Sequence, residues 1–254
     1  MLYMRTLLLL CSLLLTTGCL TPKVVGEADG HHKMGVAYIN EGNWPGAISE
    51  LRQSVKKNKW EKKHWHSLGL AYFGREMHAE AEEAFKEALE IDPEYAQAQT
   101  NLGALYLQTE RWDDAVDVLE KARANPEYRE PLRTLHNLGW AYFNKGDFPK
   151  SRKLYEQILR QYPDFCPAHR NLGSVDEAEG KLNKALDRYR KAVVCDPGDL
   201  KGLYALGVLE MRLDFVSDAC GHLGTVHEAH PFGEMKDKAG EYLGELECDR
   251  VSGL

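Results

Sequence analysis

Apolar residues recur along this chain in short bursts at helical spacing, and glycine keeps the bursts in phase. Leu68 and Tyr72 lie one turn apart and share a face. A second burst follows at Ala81, Phe85 and Ala88, again on one helical face, and Pro93 closes it because a proline cannot continue the hydrogen-bond ladder. The pair of bursts returns along the chain, with Gly35, Gly69, Gly103, Gly139, Gly173 and Gly207 at steps of 34, 34, 36, 34 and 34 residues. A fixed period of this length predicts stacked helical hairpins, each burying its apolar face against its neighbours. The longer step falls around Asn125 to Pro131 and predicts a two-residue loop insertion there.

The second period, with Trp65, Leu68, Gly69, Tyr72, Ala81, Phe85, Ala88 and Pro93, closely resembles the tetratricopeptide signature. Asp176 and Glu210 stand where periods five and six should carry tyrosine. The resemblance implies an all-α, right-handed superhelical solenoid of six repeats: 28–61, 62–95, 96–131, 132–165, 166–199 and 200–233. Residues 234–247, with Met235, Ala239, Tyr242, Leu243 and Leu246 at helical spacing, fit a C-terminal capping helix before a tail to 254.

Residues 1–18 read as a signal rather than as fold. Arg5 precedes Leu7–Leu15, a run too short to span a bilayer. Thr16-Thr17-Gly18-Cys19 resembles a bacterial lipobox, with Thr16 where an apolar residue is usual. The resemblance implies lipidation at Cys19 and, with no Asp directly after it, a lipid-anchored place on the periplasmic face of the outer membrane. Residues 19–27 are then expected to form a lipidated tether.

The formal charge is −7, and −8 once residues 1–18, which hold Arg5 and no acid, are removed. That balance argues against nucleic acid, where Lys and Arg contacts to phosphate dominate. The lysine clusters at 56–59 and 62–63 read as a solvated face at the turn after the first repeat, with a partner or headgroup site as the sharper alternative. Four cysteines remain beyond Cys19. An even number in an exported chain suggests disulfides. Cys166 and Cys195 fall at the open end of one hairpin, and Cys220 and Cys248 flank the turn into the cap, so hairpin geometry predicts Cys166–Cys195 and Cys220–Cys248.

In a tetratricopeptide solenoid the first helix of each repeat lines the concave face. Counting from each glycine gives Val36 and Ile39, Leu70 and Phe73, Ala104 and Leu107, Trp140 and Phe143, with His32, His66 and His136 one turn earlier. This apolar stripe predicts a groove for an amphipathic helix or extended peptide. It breaks at Ser174 and Glu177 and resumes at Val208 and Met211. A clamp for a peptide carboxylate, built from Lys and Asn in some relatives, is missing, because His32 and Val36 occupy those places. The histidines do not show metal-ligand spacing, and no phosphate loop or nucleophile elbow appears. The sequence thus points to a binding protein with neither enzymatic activity, cofactor nor metal, expected to be monomeric.

A lipobox, a short tether and six such repeats together resemble the type IV pilus pilotins, the PilF/PilW-type lipoproteins. That resemblance implies binding of secretin subunits and promotion of their assembly in the outer membrane. The rival reading is another periplasmic tetratricopeptide lipoprotein, one that scaffolds peptidoglycan hydrolases or envelope-biogenesis factors.

Overall fold

The computed structural model describes residues 21–128, 131–229 and 233–248. Among these are thirteen α-helices and no strand: α1 (Pro22–Asn40), α2 (Trp44–Lys57), α3 (Lys62–Gly74), α4 (His78–Ile91), α5 (Ala96–Gln108), α6 (Trp112–Ala124), α7 (Pro131–Asn144), α8 (Phe148–Gln161), α9 (Cys166–Ala178), α10 (Leu182–Cys195), α11 (Leu200–Arg212), α12 (Val216–Glu228) and α13 (Glu234–Glu245). The chain is an all-α solenoid of tetratricopeptide repeats. Its contacts divide it into two units, one running to Thr109 with Ala124–Tyr128 and the other holding Glu110–Arg123 and everything after Arg129. The signal segment and Cys19 lie outside the described residues, as do His230, Pro231 and Phe232.

Five of the six hairpins close by the same contact. A Cβ built on the phasing glycine would strike the residue sixteen places later: Gly35 meets Leu51, Gly69 Phe85, Gly139 Tyr155, Gly173 Tyr189 and Gly207 Leu223, all within 2.5–2.8 Å. Those five partners are fully or almost fully buried. The glycine is therefore a socket for a large side chain from the second helix, and the small residues Ala47, Ala81, Ser151, Ala185 and Ala219 let the helices approach beside it.

The turn inside each repeat has its own repeated feature. The residue seven places after the glycine has a left-handed backbone in all six repeats: Gly42, Glu76, Glu110, Gly146, Gly180 and Asp214. Three of these are glycine, which adopts that conformation without a steric penalty.

Successive repeats are latched by a polar pair. The residue three after the glycine is buried and reaches back to the preceding second helix. Arg52 Nε donates to the Tyr72 hydroxyl at 2.7 Å, while the hydroxyls of Tyr106 and Tyr142 donate to Glu82 and Glu120 at 3.0 and 2.8 Å. Where sequence alone suggested a loosened signature, the acid is matched to a cation. Asp176 accepts from Arg152 at 2.8 Å, and Glu210 faces Arg190 at 3.4 Å and His222 at 2.7 Å. Both carboxylates are almost wholly buried, so their partners are what make burial tolerable.

One expectation, at the N-terminal end, changes in detail. The first helix starts at Pro22, not at residue 28, so most of the expected tether is helix. Thr21 caps it, accepting from Val24 N at 3.4 Å, and Pro22 suits the first helical turn. At the other end, α13 covers Leu203, Leu223 and Val226 through Ala239, Met235, Tyr242 and Leu243. The structure joins Cys166 to Cys195 and Cys220 to Cys248, the pairing that hairpin geometry predicts. With sequence separations of 29 and 28, each crosslink contributes roughly 3–4 kcal/mol by loop-closure entropy.

Candidate functional site

The first helices of neighbouring repeats pack side by side within each unit. In the first unit, α3 touches both α1 and α5. This sets Val36 and Ile39 of α1, Leu70 and Phe73 of α3, and Ala104 and Leu107 of α5 on one face. All six are half-buried, so each keeps apolar surface open to solvent. In the second unit, α7 carries Trp140 and Phe143, with ring centroids 5.1 Å apart and planes nearly parallel at 14°. Phe148 extends the cluster 5.7 Å beyond Phe143. A half-buried pair of rings already stacked costs little entropy to present to a partner.

The histidines expected in the groove have another task. His32 Nε2 lies 2.9 Å from Ser67 Oγ, His66 Nε2 2.6 Å from Asn101 Nδ2, and His136 Nε2 3.0 Å from Asn171 Nδ2. Each partner sits 35 residues later, on the first helix of the next repeat. The asparagine amides donate, so the Nε2 atoms of His66 and His136 accept, which requires neutral imidazoles there. Burial holds His32 below the usual histidine range, reinforced by His64, whose ring centroid is 4.8 Å away. Burial does the same to His136, with Arg170 adding to it and a hydrogen bond to Asn137 working against it. These residues join repeats, and the apolar positions beside them stay half-buried along the same helices.

The break at repeat five is also structural. The Tyr189 hydroxyl, carried by the ring that fills the Gly173 socket, donates to Glu177 at 2.9 Å and lies 3.2 Å from Ser174 Oγ. Arg212 from α11 pairs with the same Glu177. The polar residues that interrupt the stripe thus satisfy a buried phenol, whose pKa burial raises well above the usual tyrosine range. At repeat four, Tyr155 meets the same need through Asn171 at 3.0 Å. Sequence reading missed these partners, although the 35-residue spacing from His66 to Asn101 and from His136 to Asn171 was there to be found.

A cavity of about 510 Å³ lies away from this face, at the Cys166–Cys195 end of the fifth hairpin, lined by Pro163, His169, Arg190, Lys191 and Val194 among others. No group of three or more His, Cys, Asp or Glu able to hold a metal occurs among the described residues. No described helix is long and apolar enough to cross a membrane.

Socketed hairpins, polar latches and an apolar face define an all-α helical-repeat scaffold for protein–protein interaction. Two descriptions of the tetratricopeptide repeat match it, one at residues 63–127 and 95–164 and the other at 136–200, together more than half of the chain. The chain belongs to the tetratricopeptide-repeat proteins. Among solved structures, it is similar to PilF of Pseudomonas aeruginosa (17% identity, TM-score 0.72), over 87% of this chain and 99% of that one. It is likewise similar to PilW, a widely conserved type IV pilus biogenesis factor (20% identity, TM-score 0.75), over 83% and 97%. At these identities the likeness is one of fold. Superkiller protein 3 of Schizosaccharomyces pombe is 24% identical over 72% of this chain but only 14% of its own length. The chain spans well under half the length of the first curated relatives it matches.

Proposed function

We propose that this protein is a pilotin: a lipoprotein, anchored through Cys19 to the periplasmic face of the outer membrane, that binds secretin subunits and promotes their assembly for type IV pilus biogenesis. The observation that carries the reading is the extent of the PilF and PilW likeness. It takes in nearly the whole of both proteins and most of this one. The lipobox-like Thr16-Thr17-Gly18-Cys19 supports the address. The mechanism is physical: an apolar face shields an amphipathic part of the secretin monomer while the lipid holds the pair where the ring forms.

Two experiments test it. A photo-crosslinker placed at Phe73 or Trp140 in envelope preparations should capture a secretin subunit; capture of a peptidoglycan hydrolase without a secretin overturns the reading in favour of another envelope adaptor. Cys19→Ala should yield a folded protein lost from the outer-membrane fraction, with impaired secretin assembly. Unchanged fractionation removes the lipid anchor from the proposal.

A further inference from the structure

The turn between α2 and α3 carries an exposed aromatic and an unpaired set of cations. Trp60 is 66% exposed, the largest exposure of any aromatic among the large exposed hydrophobics. The turn that holds it out is closed by two hydrogen bonds. Asn58 is buried and accepts from Trp60 N at 3.2 Å, and Trp65 Nε1 donates to the Lys59 carbonyl at 2.9 Å. Lys59 Nζ sits 4.8 Å above the Trp60 ring. Lys56, Lys59 and Lys63 are exposed and enter no ion pair among the described residues, whereas Lys57 and Lys62 are tied to Glu27 and Asp92. In a chain of net charge −7 this is a local excess of positive charge beside an indole.

The position of this turn matters as much as its chemistry. Ser54 Oγ donates to the Ala28 carbonyl at 2.9 Å, Lys57 Nζ lies 2.6 Å from Glu27, and His64 Nε2 lies 3.3 Å from Asp29. The last turn of α2 and the first turn of α3 are thereby pinned to the opening turns of α1. Trp60 and its lysines share one end of the molecule with Thr21, and residue 19 is at most about 7 Å of extended chain from Thr21.

We propose that this end is a membrane-docking surface: Trp60 inserts at the headgroup level of an anionic phospholipid bilayer, and Lys56, Lys59 and Lys63 face the phosphates. Tryptophan beside lysine is the pairing that suits a membrane–water interface, with an amphipathic ring at headgroup depth and flexible cations reaching the lipid phosphates. An acyl chain alone fixes position but leaves the solenoid free to rotate. A second contact beside the anchor orients the groove relative to the bilayer and adds the second signal that stable attachment requires. The orienting role rests on the proposed lipidation of Cys19; the affinity of the surface for lipid does not.

The test uses the chain from Leu20 onward, which contains every described helix and cannot be acylated at Cys19. It is sedimented with vesicles of phosphatidylethanolamine and phosphatidylglycerol, and with vesicles of phosphatidylcholine alone. Binding to the anionic vesicles that weakens with salt is expected. Each lysine near such a surface is worth roughly fivefold, so Lys56→Gln/Lys59→Gln/Lys63→Gln should lower partitioning by at least about tenfold. Trp60→Ala should lower it too, while both variants keep the helicity and melting temperature of the parent, because these four side chains are exposed. Failure to bind anionic vesicles, or binding unmoved by either variant, overturns the proposal. So does loss of secretin capture with vesicle binding intact, which makes the patch a protein site. The vesicle measurement is made without Cys19, so it decides the surface whatever Cys19→Ala does to the full chain.

Discussion

A Cβ placed on Gly139 would come within 2.8 Å of Cζ of Tyr155, a ring that is itself completely buried. The ring has nowhere to move, since its hydroxyl is held by Asn171. Gly139→Ala should therefore destabilise the protein by up to about 2 kcal/mol, overpacking of roughly 1–3 kcal/mol being partly offset by the better helix propensity of alanine. Gly221 lies inside α12 with nothing within 4 Å of a built Cβ. Gly221→Ala should stabilise by about 0.5–1 kcal/mol. Thermal melts of the two variants should move in opposite directions; a parallel shift removes the socket argument.

How much of this was legible in the sequence follows from which contacts are local in the repeat. The glycine phase fixed the two helices of each repeat and the level of each cysteine along its hairpin, so the fold and both disulfide pairings could be read. The start of α1 could not, because Thr21-Pro22 lies upstream of the first repeat position and the glycine phase carries no information there. The partners of the histidines were hidden for a different reason. His66 and Asn101 meet only because adjacent repeats stack, and a face defined by counting from one glycine does not show what the next repeat brings to it. The second glycine phase, at the turns, was hidden by Glu76, Glu110 and Asp214, which accept a left-handed backbone without being glycine.

The latch at Asp176 gives a sharper test of a buried charge. Its carboxylate is 1% exposed and held by Arg152, with Arg188 4.0 Å away. Breaking a buried pair on one side costs about 3–5 kcal/mol, and Arg152 retains Glu179, so Asp176→Leu should cost about 2–3 kcal/mol. Adding Arg152→Met should recover much of the loss, since no buried cation is then stranded. Chemical denaturation of both single variants and the double variant checks this; additive losses would mean that the two residues do not form a latch.

Acid should loosen the joints between repeats. His32 and His136 have folded pKa values below the ordinary histidine value, mainly through burial. The unfolded chain then binds more protons than the folded one. Their contribution is complete above the unfolded value near 6.5 and is lost as pH falls through it towards the folded values. The melting temperature should drop as pH falls below about 6.5, and His136→Gln, which can still accept from Asn171, should flatten that slope. A slope unchanged by the substitution assigns the acid sensitivity elsewhere.

Trp140 decides whether the apolar face is a binding surface or only packing. Its ring is half-buried and lies stacked on Phe143. If it serves packing alone, Trp140→Ala should cost stability in the range of a core aromatic, about 3–5 kcal/mol. If it serves a partner, the stability loss should stay within the worth of one aromatic pair and partial burial, about 1–2 kcal/mol, because Leu138 and Tyr142 already fill the hairpin interior. Binding should then fall by roughly 30-fold or more, as it does when a central aromatic anchor is removed. The secretin periplasmic region, titrated against wild type and variant at a temperature where both are folded, separates the two. A large binding loss with a small melting shift makes Trp140 an anchor. A large melting shift with unchanged affinity returns it to the core and moves the search for the contact to Leu70 and Phe73.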